Sequence, residues 1–177
     1  MSYSLNFMPK SDLYIGVLSG TSADSIDALL VDFSKSIEVI DRFSQKIPKG
    51  IKNKIFELVH NKKIPNYATK QKELDLILGE LIGKCVNQLI KKTRKDKHLV
   101  KAIGSHGQTI QHSSSRKNPF SLQIGNPELV RKLTGIKVVH GFRQSDIANG
   151  GMGAPLTPAF HSEYMSKAKI NRAIINI

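Results

Sequence analysis

One long apolar stripe most narrows what this chain can become. Leu74, Leu78, Leu81, Cys85 and Leu89 recur at three- and four-residue steps, and Ile77, Ile82, Val86 and Ile90 widen the stripe. That spacing predicts a long helix with one face turned to a core. Lys91, Lys92, Arg94 and Lys95 cluster at its end, where cations suit the helix dipole. Upstream, Tyr14–Ser19 and Ile26–Phe33 are apolar, β-rich runs. The short break at Gly20-Thr21-Ser22 predicts that they form a hairpin. Ile37–Phe43 is expected as a third strand, and Gly50–His60 as a helix carrying Ile51, Ile55, Leu58 and Val59. Downstream, strands are expected at Val100–Gly104, Phe120–Ile124, Ile136–Val139 and Arg172–Ile177. A polar loop follows Gly104, and helices are expected at Pro127–Leu133 and Ala154–Met165. Strands alternating with helices predict an α/β fold with a mixed sheet.

A chain of 177 residues, 40% of them hydrophobic, suffices for one domain with a real core. Its single cysteine, Cys85, forms no intrachain disulfide, which fits a reducing compartment. Lying on the helical stripe, it reads as a packing residue. The N-terminus lacks the basic region and apolar stretch of a signal peptide, and no apolar run has the length of a membrane span. A cytoplasmic protein without membrane partners is the expectation. The net charge of +13 invites a nucleic-acid reading. Yet residues 46–101 hold 15 of the 27 Lys and Arg and only 5 of the 14 Asp and Glu. The excess therefore falls on the helical middle, as a solvated lysine face with no aromatic platform for bases. No nucleic-acid partner is expected.

Chemistry-bearing residues gather in three segments. Gly20 to Asp27 (GTSADSID) forms the hairpin tip. Gly20 permits unusual backbone angles. Thr21 and Ser22 offer hydroxyls and N–H groups that can cup phosphate oxygens, while Asp24 and Asp27 can orient hydrated magnesium. The same residues also suit an ordinary hydrogen-bonded turn. Gly104 to Thr109 (GSHGQT) packs His106, Gln108 and Thr109 into little space, which suits a polyhydroxylated or amide-bearing ligand. His106 suits a structural role equally, and no zinc-ligand spacing is present. Val138 to His161 is glycine-rich, with Gly141, Gly150, Gly151 and Gly153, and carries Arg143 and Asp146 in a loop leading out of a strand. Asp146 can accept a proton from water or a hydroxyl, and Arg143 can bind a carboxylate or phosphate. The two can equally pair with each other. No P-loop, dinucleotide-binding GxGxxG or GxSxG signature is present.

In order and at compatible spacing, YIGVLSGTSADSIDALLVDF, AIGSHGQTI, SLQIGNPELV and GFRQSDIANGGMGAPLTPAFH resemble the anhydro-N-acetylmuramic acid kinase family. The resemblance runs from Tyr14 to Ile177. It implies the mixed-sheet first lobe of a two-lobed, hexokinase/actin-like (ribonuclease H-like) kinase. It also implies an activity: ATP-dependent phosphorylation of 1,6-anhydro-N-acetylmuramic acid with opening of the anhydro ring by water, in peptidoglycan recycling. The family's phosphate-binding hairpin maps onto Gly20, Thr21, Ser22, Ala23, Asp24, Ser25, Ile26 and Asp27. Its catalytic aspartate maps onto Asp146. His106, Gln108, Thr109 and Arg143 are then expected to line the sugar pocket, with ATP and Mg2+ as cofactors and Asp24 reaching the metal through water.

Two residues depart from the family pattern: Ser25 stands where a second hairpin glycine is usual, and Met152 where a glutamine is usual. Family members are about twice as long and continue past the NI of RAIINI. The chain is therefore expected to comprise an extension (1–12), a kinase lobe (13–168) and the first strand of a second lobe (169–177). A separately encoded C-terminal half and a homodimer are expected as candidate partners. Two rival functions remain: a non-catalytic sugar- or muropeptide-binding remnant, and a basic nucleic-acid-binding module.

Overall fold

A computed structural model describes residues 12–113, 115–167 and 169–174. Residues 1–11 of the expected extension, and the last three residues of the expected strand Arg172–Ile177, lie outside the described residues. The chain divides into two compact units. The first comprises residues 1–110 and 123–141, and the second 111–122 and 142–177.

The chain opens with an antiparallel meander of β1 (Leu13–Ser19), β2 (Ser25–Asp32) and β3 (Glu38–Lys46). β4 (Val100–Ser113) runs parallel to β1, and β6 (Val138–Val139) parallel to β4. With β5 (Phe120–Ile124), the strand order is β3-β2-β1-β4-β5, with β6 beside β4. This is the expected α/β architecture with a mixed sheet. It matches the first lobe of a kinase of the actin-like ATPase type.

Strand alternation sets the core. Leu13, Ile15 and Val17 of β1 and Ile26, Ala28 and Leu30 of β2 are buried, while their alternates are not. The long helix α2 (Tyr67–Thr93) packs against β1, β2 and β3 with the predicted stripe. Leu74, Leu78, Ile82, Cys85, Val86 and Leu89 are buried, and Leu81 sits at the stripe's margin. α1 (Lys49–His60) packs on α2 through Ile55 and Leu58. The lysines of both helices lie mainly toward solvent, several in exposed ion pairs such as Lys84–Glu80 and Lys70–Glu57. On its other flank α2 meets α3 (Pro127–Thr134) at two glycines. A Cβ on Gly79 would lie 2.9 Å from the Asn126 carbonyl oxygen, and one on Gly83 would lie 2.8 Å from Leu133 Cδ1. Asp75 of α2 fastens the same junction: its carboxylate accepts from Gly125 N (2.8 Å) and Asn126 Nδ2 (2.9 Å).

Several expected boundaries are corrected. β4 is one strand of 14 residues, not a short strand followed by a loop. Gln108 and Thr109 find partners inside the sheet, and Gly107 (φ 71°) takes up a register shift against β1 between Val17 and Leu18. β6 spans only two residues of the expected four. The last helix, α5 (Thr157–Met165), starts three residues later than expected, with Pro158 in its first turn. Residues 172–174 form no strand. Among the described residues no strand pairs with them, and an unpaired strand has no ladder to hold it.

Candidate functional site

The hairpin tip is built by the β1–β2 register, which ends at Ser19↔Ile26 and leaves Gly20 to Asp24 to make the turn. Ala23 N donates to the Gly20 carbonyl at 3.1 Å. The left-handed residue is Ala23 (φ 48°), fully buried, and not Gly20 as expected. A Cβ on Gly20 would meet nothing within 4 Å, so the tip is open in front of it. Thr21 and Ser22 are exposed, and their N–H groups lie outside the β1–β2 ladder. Ser25 is already a strand residue paired with Lys46, so this position needs no glycine, and its hydroxyl donates to Asp27 Oδ2 at 2.9 Å. The Asp24 carboxylate pairs with Lys52 of α1. The Lys52 ammonium, and then the Ser22 hydroxyl, hold the Asp24 carboxyl below its ordinary value. Lys52 thus brings a cation to the tip. It stands 28 residues away in sequence and in no motif, so only the packing of α1 reveals it.

The second segment lies on β4, next to β1. Gln108 is 2% exposed, and its Oε1 accepts from the Ser19 hydroxyl at 2.7 Å. Its Nε2 donates to the Thr109 carbonyl, while Thr109 Oγ1 accepts from Gln123 Nε2 at 3.1 Å. Half-buried His106 has Nδ1 3.2 Å from the Gly107 carbonyl oxygen. The Ser19–Gln108 bond ties the end of β1, where the hairpin tip begins, to the middle of β4. Sequence reading missed Ser19, whose only signal is a hydroxyl at a strand end.

From Phe142 on, the third segment belongs to the second unit. Arg143 and Asp146 stand on a short helix, α4 (Phe142–Ala148), and not in a loop. Gly141 precedes this helix, and Gly150, Gly151 and Gly153 follow it. Spaced i and i+3, the two side chains share one side of α4. They form no ion pair with each other among the described residues. Both reach Gly153: its N–H donates to Asp146 Oδ2 at 2.7 Å, and its carbonyl accepts from Arg143 Nη1 at 3.0 Å. Asn149 N (3.1 Å) and Gly151 N (2.9 Å) both donate to the Asp146 carbonyl. Met152, where the family carries an amide, is 38% exposed on this turn.

No group of three or more His, Cys, Asp or Glu that could hold a metal occurs among the described residues. A carboxylate held by one backbone N–H, and a tip rich in N–H and hydroxyl groups, suit proton transfer and phosphate binding respectively.

The anhydro-N-acetylmuramic acid kinase family model matches residues 12–177. The chain belongs to this family. The family's anhydro-N-acetylmuramic acid kinase from Shewanella woodyi is 44% identical over 171 residues, covering 95% of this chain and 45% of the relative. The enzyme of the same name from Coxiella burnetii is 42% identical over 170 residues, covering 96% of this chain and 45% of its own. That from Shewanella loihica is 41% identical over 165 residues, covering 93% and 44%. The chain therefore spans a little under half the length of these family members. No helix among the described residues is long and apolar enough to cross a membrane.

Proposed function

We propose that this chain supplies the first part of an ATP-dependent sugar kinase. The enzyme would phosphorylate 1,6-anhydro-N-acetylmuramic acid and open its anhydro ring with water, giving N-acetylmuramic acid 6-phosphate. The observation that carries this reading is the seat of Asp146. In a chain of this family, the residue at the catalytic position has one carboxylate oxygen bound by backbone and the other without a bonding partner among the described residues. That is the arrangement a general base needs.

In this reading Asp146 takes a proton from the water that attacks the anomeric carbon. The bond from that carbon to O6 breaks, and O6 receives the γ-phosphoryl group that ATP supplies. Gly20 to Asp27 cradle the nucleotide's phosphates through the N–H and hydroxyl groups of Thr21 and Ser22, and Lys52 adds positive charge beside them. Mg2+ would be carried by the phosphates, and Asp24 would reach it through water. His106 and Thr109 are proposed to contact the sugar, with Gln108 bracing their strand through Ser19, and Arg143 is proposed as a sugar contact in its own right. A second lobe, corresponding to the part of the relatives beyond the match, completes the enzyme.

Phosphoryl transfer from ATP to 1,6-anhydro-N-acetylmuramic acid should be measured for this chain alone and together with the remaining part of the Shewanella woodyi relative. The chain alone is expected to be nearly inactive. The mixture should turn over, and Asp146→Asn should slow it by about 10²–10⁴-fold without loss of fold. Turnover indifferent to Asp146→Asn would refute the assignment.

A further inference from the structure

Every glycine of the Gly150–Gly153 turn needs a reason, and the reasons differ. Gly150 (φ 88°) and Gly153 (φ 74°) use backbone angles that side chains disfavour. Gly151 does not, so its backbone would accept alanine. What it lacks is room. The three heavy atoms nearest a Cβ built there all belong to the Asp146 side chain, with Oδ1 2.6 Å away. The missing Cβ at 151 is the space in which the carboxylate sits.

The same turn holds Asp146 by its side chain and by its backbone. Gly153 N–H binds Oδ2 at 2.7 Å, and Arg143 Nη1 holds the Gly153 carbonyl at 3.0 Å. Gly151 N–H binds the Asp146 backbone carbonyl at 2.9 Å, which fixes the turn to the helix end carrying the aspartate. Arg143 is thus joined to Asp146 through Gly153, across one residue and two hydrogen bonds.

We propose that Gly151 and Arg143 are positioning residues for Asp146. Gly151 leaves the seat vacant, Arg143 holds Gly153 in place, and Gly153 N–H pins Oδ2 so that Oδ1 alone is presented as the proton acceptor. This deepens the general-base assignment and rests on it for its catalytic meaning. The seat itself stands on geometry.

The seat is tested without turnover, by following the Gly153 amide of the 15N-labelled chain through a pH titration. An amide bonded to a carboxylate shifts as that carboxylate ionises. The wild-type Gly153 resonance should show one inflection through the titration, and Asp146→Asn should remove it. Gly151→Ala should remove it while the rest of the spectrum stays in place, because only a side-chain end must move. Arg143→Met should weaken it and Arg143→Lys should restore much of it. The inflection surviving in Gly151→Ala or in Asp146→Asn would overturn the seat, and its survival at full size in Arg143→Met would remove Arg143 from it. Global unfolding of Gly151→Ala would also overturn it, since more than the carboxylate would then fill that space. In the complemented enzyme, Gly151→Ala should lower kcat about 10²-fold with KM for ATP little changed. If the amide titration holds while Asp146→Asn leaves turnover intact, the general-base assignment fails and the seat survives.

Discussion

Ser19 and Gln108 show how a polar pair can be written into a core. Both are buried, and each satisfies the other at 2.7 Å. Gln108→Ala strands the Ser19 hydroxyl without a partner and leaves a gap. It should cost about 1–3 kcal/mol, read as a lower midpoint in denaturant unfolding, while Ser19→Ala in the same background should recover part of the loss. Cys85 is the opposite case. Its buried thiol lies 3.5 Å from the Ile26 carbonyl oxygen, and burial, followed by the negative charge of Asp27, pushes it up to about 11. The folded chain should therefore resist alkylation at pH 8 and react fully once denatured, as mass spectrometry would show. The folded value lies above the ordinary 9.0, so the stability contributed by the neutral thiol is present below pH 9. It is lost as pH rises through about 11.

Helix α2 is the element around which the first unit is arranged. One face closes over the strands and a second edge admits α3 through Gly79 and Gly83. Gly79→Ala would press a methyl group onto the Asn126 backbone, which cannot swing away as a side chain can. Helix propensity favours alanine by up to about 1 kcal/mol. Overpacking against backbone costs about 1–3 kcal/mol. The net should be destabilising and visible in the thermal midpoint, and a stabilised variant would show that the α2–α3 approach is looser than described. The stripe was legible because helical periodicity repeats over many residues. The glycine edge was not, since a glycine in a helix carries no sign of what approaches it. β4 was misjudged for a related reason. His106, Gly107, Gln108 and Thr109 look like loop residues until their partners on β1 and β5 are known.

At the scale of the first unit, the sheet is covered by α2 on one face only among the described residues. Leu18 (50% exposed), Leu29 (40%) and Val39 (55%) lie on β1, β2 and β3 away from the buried rows. Parallel pairs such as β1–β4 are usually covered on both faces. An apolar face left open favours self-association. Replacing Leu18 and Leu29 together by Lys should reduce self-association in sedimentation velocity and change stability by no more than about 0.5 kcal/mol per site. A large loss of stability would mean that the face is not free.

The sequence alone determined the order of elements from β1 to α3, the α/β class, the core stripe of α2 and the family, because these follow from periodicity and from motifs contiguous in the chain. It also marked Gly20–Asp27, His106–Thr109, Arg143 and Asp146 as residues of interest. Tertiary structure alone decided what those residues touch. Lys52 comes to Asp24 from helix α1, Gln108 turns inward to Ser19, and Arg143 and Asp146 meet at Gly153 instead of at each other. Periodicity reports which face of an element is buried. Hydrogen-bond partners and the space beside a glycine depend on atoms brought together from distant parts of the chain, and no local pattern encodes them.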